Sequence, residues 1–183
     1  MGVVKRVDYY FNEPGPQNTE TVFEAVKERL EHTGVKTVVI ASDSGETAVK
    51  LCDSIREPGI NIIAISWKKM NPENVHKLKE KGVEVVQESH TPLSGKDAKV
   101  MAYTYYTLGQ GFKVAVELAM IVVDMELIKA GQDVLSIAGT GNGADTAVLL
   151  KASSTKDIIG PDTANRLEVK EIVAMPRVKK WWD

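Results

Sequence analysis

Three short β-branched runs constrain this chain more than anything else in it. They read "KTVVIA", "INIIAIS" and "VEVVQES", and a helical pattern follows each of the first two. Their residues are apolar on both faces, which a strand tolerates only when it is covered on both sides. Between the first two runs, Ala48, Val49, Cys52 and Ile55 recur at helical spacing. Between the second and third, Pro72 suits the first turn of a helix and Gly82 its end. Strands alternating with helices at this distance pair in parallel through right-handed crossovers. The expectation is an α/β fold: three layers, with a mostly parallel sheet flanked by helices.

The rest of the chain adds to that frame. "VVKRVDYYF" reads as an edge strand, and "NEPGPQN" as a turn-rich loop. Asn18 is placed to cap a helix from about Thr19 to His32, and Gly34 to end it in a left-handed conformation. Beyond the third strand, a helix is expected over 97–108. After the break "GQG" comes a longer, mostly apolar helix ending near Ala130. "QDVLSIAG" is a fourth strand, "TAVLLKAS" another, and "LEVKEIVAMP" the last, with an antiparallel strand closing the sheet.

Length and charge narrow the function. A chain of 183 residues supports one sizeable core, so a single domain over 1–183 is expected. Its formal charge of -2 supplies no basic field for nucleic acid. The one cysteine, Cys52, fits a reducing cytoplasm and a buried structural thiol. The first residues lack the apolar core of a signal peptide. Glu117, Asp124 and Glu126 interrupt the most apolar helix, which argues against a membrane span. His32, His76 and His90 lack the spacing of a metal site.

Two turns carry the candidate chemistry. In "SDSGET", Ser42 to Thr47, a parallel strand runs into a helix. Free N–H groups and the helix dipole there favour an anion, and Gly45 lets backbone approach closely. Ser42, Ser44 and Thr47 add hydroxyls, whereas Asp43 and Glu46 carry the wrong charge for phosphate. A plain helix cap by Ser44 or Asp43 fits equally well. The second turn, "AGTGNGADT", places Gly139, Gly141 and Gly143 at alternate positions, as in a nest of N–H groups. With Thr140 and Asn142 it has the letters of a dinucleotide fingerprint, but a strand follows where that motif needs a helix. Asp145 is placed to accept from a sugar-type hydroxyl or to cap the turn.

Other residues fall near the same sheet end. Trp67, Lys68 and Lys69 follow the second strand and suit ring stacking, phosphate neutralisation or a plain exposed loop. Asn12, Glu13 and Pro14 either fold over the site or simply connect. His90 and Ser94 follow the third strand, where a histidine can serve as acid or base. Tyr103, Tyr105 and Tyr106 suit packing. Trp181 and Trp182 at the far end suggest docking on the body or on a second subunit, and hence a homo-oligomer.

"VVIASDSGETAVKLCDS" followed by "INIIAISWKKM" resembles the carboxyl-terminal α/β domain of pyruvate kinase. "AVELAMIVVDMELIKAGQDVLSIAGTGNGADTAVLLKAS" is similar to the last helix, strand, glycine loop and closing strand of the same domain. The likeness runs from about Thr19 to Ser153. In that family the Ser-Gly turn takes one phosphate of a sugar bisphosphate and the glycine loop lies over the ligand. Carried over, Ser42, Ser44, Gly45 and Thr47 hold a phosphate. The family's second loop has a tryptophan and an arginine where this chain has Thr140 and Asn142, so a second phosphate finds no cation there. The barrel that carries the kinase chemistry is missing, so pyruvate kinase activity is not expected.

The whole chain looks most like stand-alone archaeal proteins related to that domain. That resemblance implies a phosphorylated small molecule, flavin mononucleotide (FMN), as ligand. One phosphate suits one Ser-Gly turn, and a ribityl chain suits Thr140, Asn142 or Asp145. Trp67, Tyr9, Tyr10 and Phe11 are available as a wall for the ring. The expected site therefore joins Asn12, Ser42, Ser44, Gly45, Glu46, Thr47 and Trp67 to Gly139, Thr140, Gly141, Asn142 and Asp145. A binding module is one reading. A flavin-dependent oxidoreductase is the second, and a regulatory or structural oligomer with empty loops is the third.

Overall fold

The computed structural model describes residues 2–55, 58–96 and 98–180. Its elements in chain order begin with β1 (Tyr9–Phe11), α1 (Thr19–Thr33), β2 (Thr37–Ala41), α2 (Glu46–Ser54), β3 (Asn61–Ile65), α3 (Pro72–Glu80) and β4 (Glu84–Val86). They continue with α4 (Lys99–Tyr106), α5 (Gln110–Asp124), β5 (Asp133–Ala138), β6 (Thr146–Lys151) and β7 (Glu168–Pro176). The strands form one mixed sheet in the order β1-β7-β6-β5-β2-β3-β4. Neighbours are parallel except β6, which runs antiparallel to both β5 and β7. The carboxyl ends of β1 to β5 and of β7 therefore gather on one edge, together with the start of β6.

The apolar runs explain the layers. One face of the sheet, with Val38, Ile40, Ile62 and Ile137, packs on Val22, Phe23 and Val26 of α1, Leu51 of α2 and Leu78 of α3. The other face, with Val39, Ile63, Val134 and Val148, packs on Phe112, Val116, Met120 and Val122 of α5 and Ala102 of α4. Side chains this deeply buried contribute about 1.5–3 kcal/mol each from removal of apolar area. Within α5, Lys113 and Glu117 are buried and paired at 2.5 Å. Glu117 also accepts the Leu93 N–H at 3.1 Å, which fastens the segment after β4 over α5. No described helix is long and apolar enough to cross a membrane.

Three expectations need correction. Asn18 does not cap α1 with its side chain; a short 3-10 turn over Pro16–Asn18 leads into the helix, and the Asn18 amide donates instead to Glu13 O at 2.8 Å. The apolar helix α5 ends at Asp124, not near Ala130. Glu126 adopts φ 58, with Leu127 N donating to Val122 O and Glu126 N to Val123 O, both at 2.9 Å. This is a Schellman ending with glutamate in the left-handed seat that glycine usually takes, so no glycine announces it. The strand "VEVVQES" shrinks to three residues, Glu84–Val86, because β4 is an edge with one neighbour. By contrast, Gly34 takes φ 70 at the end of α1 as expected, and Pro72 opens α3 behind an Asn71 cap. The expected start of the 97–108 helix and the Trp181–Trp182 pair fall on residues outside those described.

Candidate functional site

The carboxyl edge of the sheet is where the expected site residues meet. The turn at 42–45 leaves β2 and the glycine loop at 139–145 leaves β5. These strands are direct parallel neighbours, with Ile40 opposite Ile137, so the two loops start side by side. Trp67 follows β3 and Asn12 follows β1 on the same edge. Open α/β sheets bind ligands in this region because loops there diverge and helices present their N-termini.

The turn is wound tightly. Gly45 N donates to Ser42 O at 3.2 Å, and Gly45 sits at φ 83, a left-handed seat that glycine fills without strain. A Cβ there would lie 2.8 Å from Asn74 Cβ, so α3 presses directly on this residue. Ser44 O accepts from Asn74 Nδ2 at 2.9 Å and Asn71 N at 3.3 Å. The buried Ser42 hydroxyl accepts the Ala48 N–H at 3.2 Å, and the exposed Ser44 hydroxyl accepts that of Glu46 at 3.3 Å. Both serines thus serve the start of α2. Thr47 is half-buried in its first turn.

Neither acid of the turn stands unpaired. Glu46 pairs along the helix with Lys50 at 2.9 Å. Asp43 accepts from Trp67 Nε1 at 2.9 Å and from Ser66 Oγ at 3.4 Å, with Lys68 Nζ at 3.4 Å. Lys68 also lies 5.4 Å from the centre of the Trp67 ring. Trp67 remains 62% exposed, so a large aromatic face is presented to solvent while its N–H is tied down.

The glycine loop is organised around Asp145. That residue is fully buried, and its Oδ2 accepts the N–H of Thr140 at 3.1 Å and of Gly15 at 3.0 Å. Its Oδ1 accepts the Thr146 hydroxyl at 2.8 Å. The carboxylate therefore takes three protein donors. It clamps the loop to the segment after β1, while Thr140 is half-buried and Asn142 exposed. Gly143, at φ 72, is pinned against α1, because a Cβ there would lie 2.6 Å from Thr19 Oγ1. Gly139 is equally constrained, with Gly143 O 2.5 Å from where its Cβ would be. Gly141, at φ 89, is exposed and has open space around it.

Asn12 is exposed on the loop beside this clamp, and no hydrogen bond among the described residues ties its side chain to the turn. His90 does not join the group; its Nε2 lies 3.0 Å from Asp124 Oδ2 at the end of α5. Cys52 is buried, and desolvation pushes its thiol up to about 11, the opposite of a nucleophile. Sequence reasoning missed Asn74, Ser66 and Gly15 as supports, because their contacts join segments far apart in the chain.

A family model described as "Pyruvate kinase, alpha/beta domain" matches residues 20–151. The chain belongs to this family. The match runs from the start of α1 to the last residue of β6, so it includes both loops. β1, β7 and the segments attached to them lie outside it. Among solved structures, Cryptosporidium parvum pyruvate kinase in complex with ADP is similar at 18% identity and a TM-score of 0.42. The likeness covers 72% of this chain and 22% of that kinase, so the pyruvate kinase α/β domain seen here spans a minor part of that enzyme's length.

Proposed function

We propose that this pyruvate kinase α/β domain binds a phosphorylated small molecule, FMN, at the carboxyl edge between the 42–47 turn and the 139–145 loop. The observation that carries the reading is the pairing of Asp43. The carboxylate that would repel phosphate is drawn aside by Ser66, Trp67 and Lys68, and the same contact holds an exposed indole beside the helix start. Residues of the right kinds are present for each part of the ligand. The phosphate suits the amino end of α2 at Ser44 to Thr47. The ribityl hydroxyls suit Thr140 and Asn142, and the isoalloxazine ring suits the face of Trp67. Bound flavin would supply redox chemistry. The chain's own residues bind and orient it, and the reading includes no phosphoryl transfer from phosphoenolpyruvate.

The test uses Ser44→Asp. Aspartate still accepts the Glu46 N–H, so α2 keeps its start, but a negative charge is added at the phosphate. FMN added to the full chain should quench in fluorescence and raise Tm, as any ligand specific to the folded state does. Ser44→Asp should weaken FMN by about tenfold or more, the scale of one charge-assisted hydrogen bond, and leave riboflavin unaffected. Absence of FMN binding, or equal FMN affinity in the variant, overturns the reading.

A further inference from the structure

The same carboxyl edge carries a second set of groups farther along, at the ends of β1 and β7. An open cleft of about 590 Å³ is lined by Tyr10 of β1, by Met175 and Pro176 at the end of β7, and by Arg177 and Lys179 just beyond it. We propose that this cleft binds a small phosphate ester carrying a flat ring, with Arg177 and Lys179 holding the phosphate and Tyr10 stacking on the ring. The site shares no residue with the FMN site proposed above, where Trp67 and not Tyr10 faces the ring, and stands without that reading.

The cleft is built rather than incidental. Its floor is buried, with Met175 4% exposed. Arg177 N donates to Phe11 O at 2.8 Å, so the backbone that carries the arginine is locked to β1 as one more rung of the sheet. The guanidinium itself makes no hydrogen bond or ion pair among the described residues. Its planar fork of five donors is suited to phosphate oxygens.

Lys179 is held differently. Its stem crosses the break between α4 and α5, where a Cβ on Gly109 would lie 3.4 Å from Lys179 Cδ. Its amine donates to Pro176 O, which leaves two of three N–H donors. Burial lowers the affinity of this amine for its proton, and the charge of Asp145 partly offsets that. A phosphate in the cleft reverses the penalty, because an anion favours the charged amine.

Tyr10 supplies the third element. It is 53% exposed on an edge strand, while its neighbours Tyr9 and Phe11 turn inward to the core of α1. Two cations beside one exposed ring suit a ligand with an anionic and an aromatic end. Arg177 and Lys179 follow β7, outside the family match, whereas the glycine loop inside the match has Thr140 and Asn142 and no cation.

The probe is 4-nitrophenyl phosphate, titrated into the full chain and followed by nuclear magnetic resonance. Saturable shifts are expected at the Tyr10 ring, the Arg177 Nε–H and the Lys179 side chain. Arg177→Gln, at an exposed residue without a partner, should keep the fold and weaken the probe about tenfold, and Lys179→Gln should do the same. 4-Nitrophenol and inorganic phosphate, each lacking one end, should bind more weakly than the probe. Shifts confined to residues 42–47, no saturable shift, or unchanged affinity in Arg177→Gln would overturn the proposal. Loss of FMN binding in Ser44→Asp leaves these shifts in place, which separates the two sites.

Discussion

The indole Nε1 of Trp67 donates to Asp43 Oδ2 at 2.9 Å, across the gap between the ends of β2 and β3. The contact orients a large, mostly exposed ring by its one polar atom, with Lys68 Nζ 5.4 Å from the ring centre. Asp43→Ala removes that tether. Stability should change by no more than about 0.5 kcal/mol, as for other exposed substitutions. Hydrogen exchange at the Trp67 indole should quicken. FMN should bind about three- to tenfold more weakly, the cost of ordering one freed side chain. An indole that exchanges at the parental rate would show that Asp43 is not what holds it.

Gly45 tests the turn in another way. Alanine there meets both a left-handed backbone and a Cβ 2.8 Å from that of Asn74. Gly45→Ala should lower stability by about 1–3 kcal/mol in urea unfolding, from strain and displacement of α3. A neutral result would mean that α3 gives way freely. This is why Ser44, not Gly45, is the place to probe phosphate binding.

Asp145→Ala should be more damaging. It leaves the Gly15 and Thr140 N–H groups and the Thr146 hydroxyl without their acceptor inside the protein. A buried donor left unpaired costs about 1–3 kcal/mol, so a loss of about 3 kcal/mol or more is expected. Amide exchange at Gly15 and Thr140 should rise together. If only one of them loosens, Asp145 does not join the two segments.

Asp124 gives a pH signature. Burial alone would raise its carboxyl, but the Thr155 hydroxyl and amide, and then His90, outweigh it and hold the group below the ordinary aspartate value. A depressed folded value means a contribution that is present above the unfolded value of about 3.9 and is lost as pH falls through the folded one. Urea midpoints of the parent and of Asp124→Asn should differ most near neutrality. They should converge in the acid range below about pH 4. A gap that stays constant with pH would remove the carboxylate's charge from the account.

Much of this architecture was legible in the residues. β2, β3 and β5 are β-branched runs covered on both faces, and a pattern of that kind has few other homes. Gly34 and Pro72 marked helix boundaries by backbone chemistry that does not depend on distant partners. Glu126 hid the end of α5, because a glutamate gives no sign that it will adopt a left-handed conformation. Asp145 read as a ligand acceptor or as a cap of its own turn, because its letter is polar and its neighbours are glycines. Only the fold reveals Gly15, far away in sequence, donating to it. The same holds for Asp43, whose charge counted against a phosphate until Trp67, Ser66 and Lys68 were seen around it.

The pairing of β1 with β7 has a consequence for how the chain assembles. Tyr9 lies opposite Ala174, so β1 waits for β7, far along the chain, before it has a partner. β2, β3 and β4 neighbour one another and can zip as they emerge, whereas the β1 edge joins its most distant segments and closes late. Delayed synthesis or loss of β7 would therefore leave the Tyr10 edge unpaired, while the centre of the sheet stays folded.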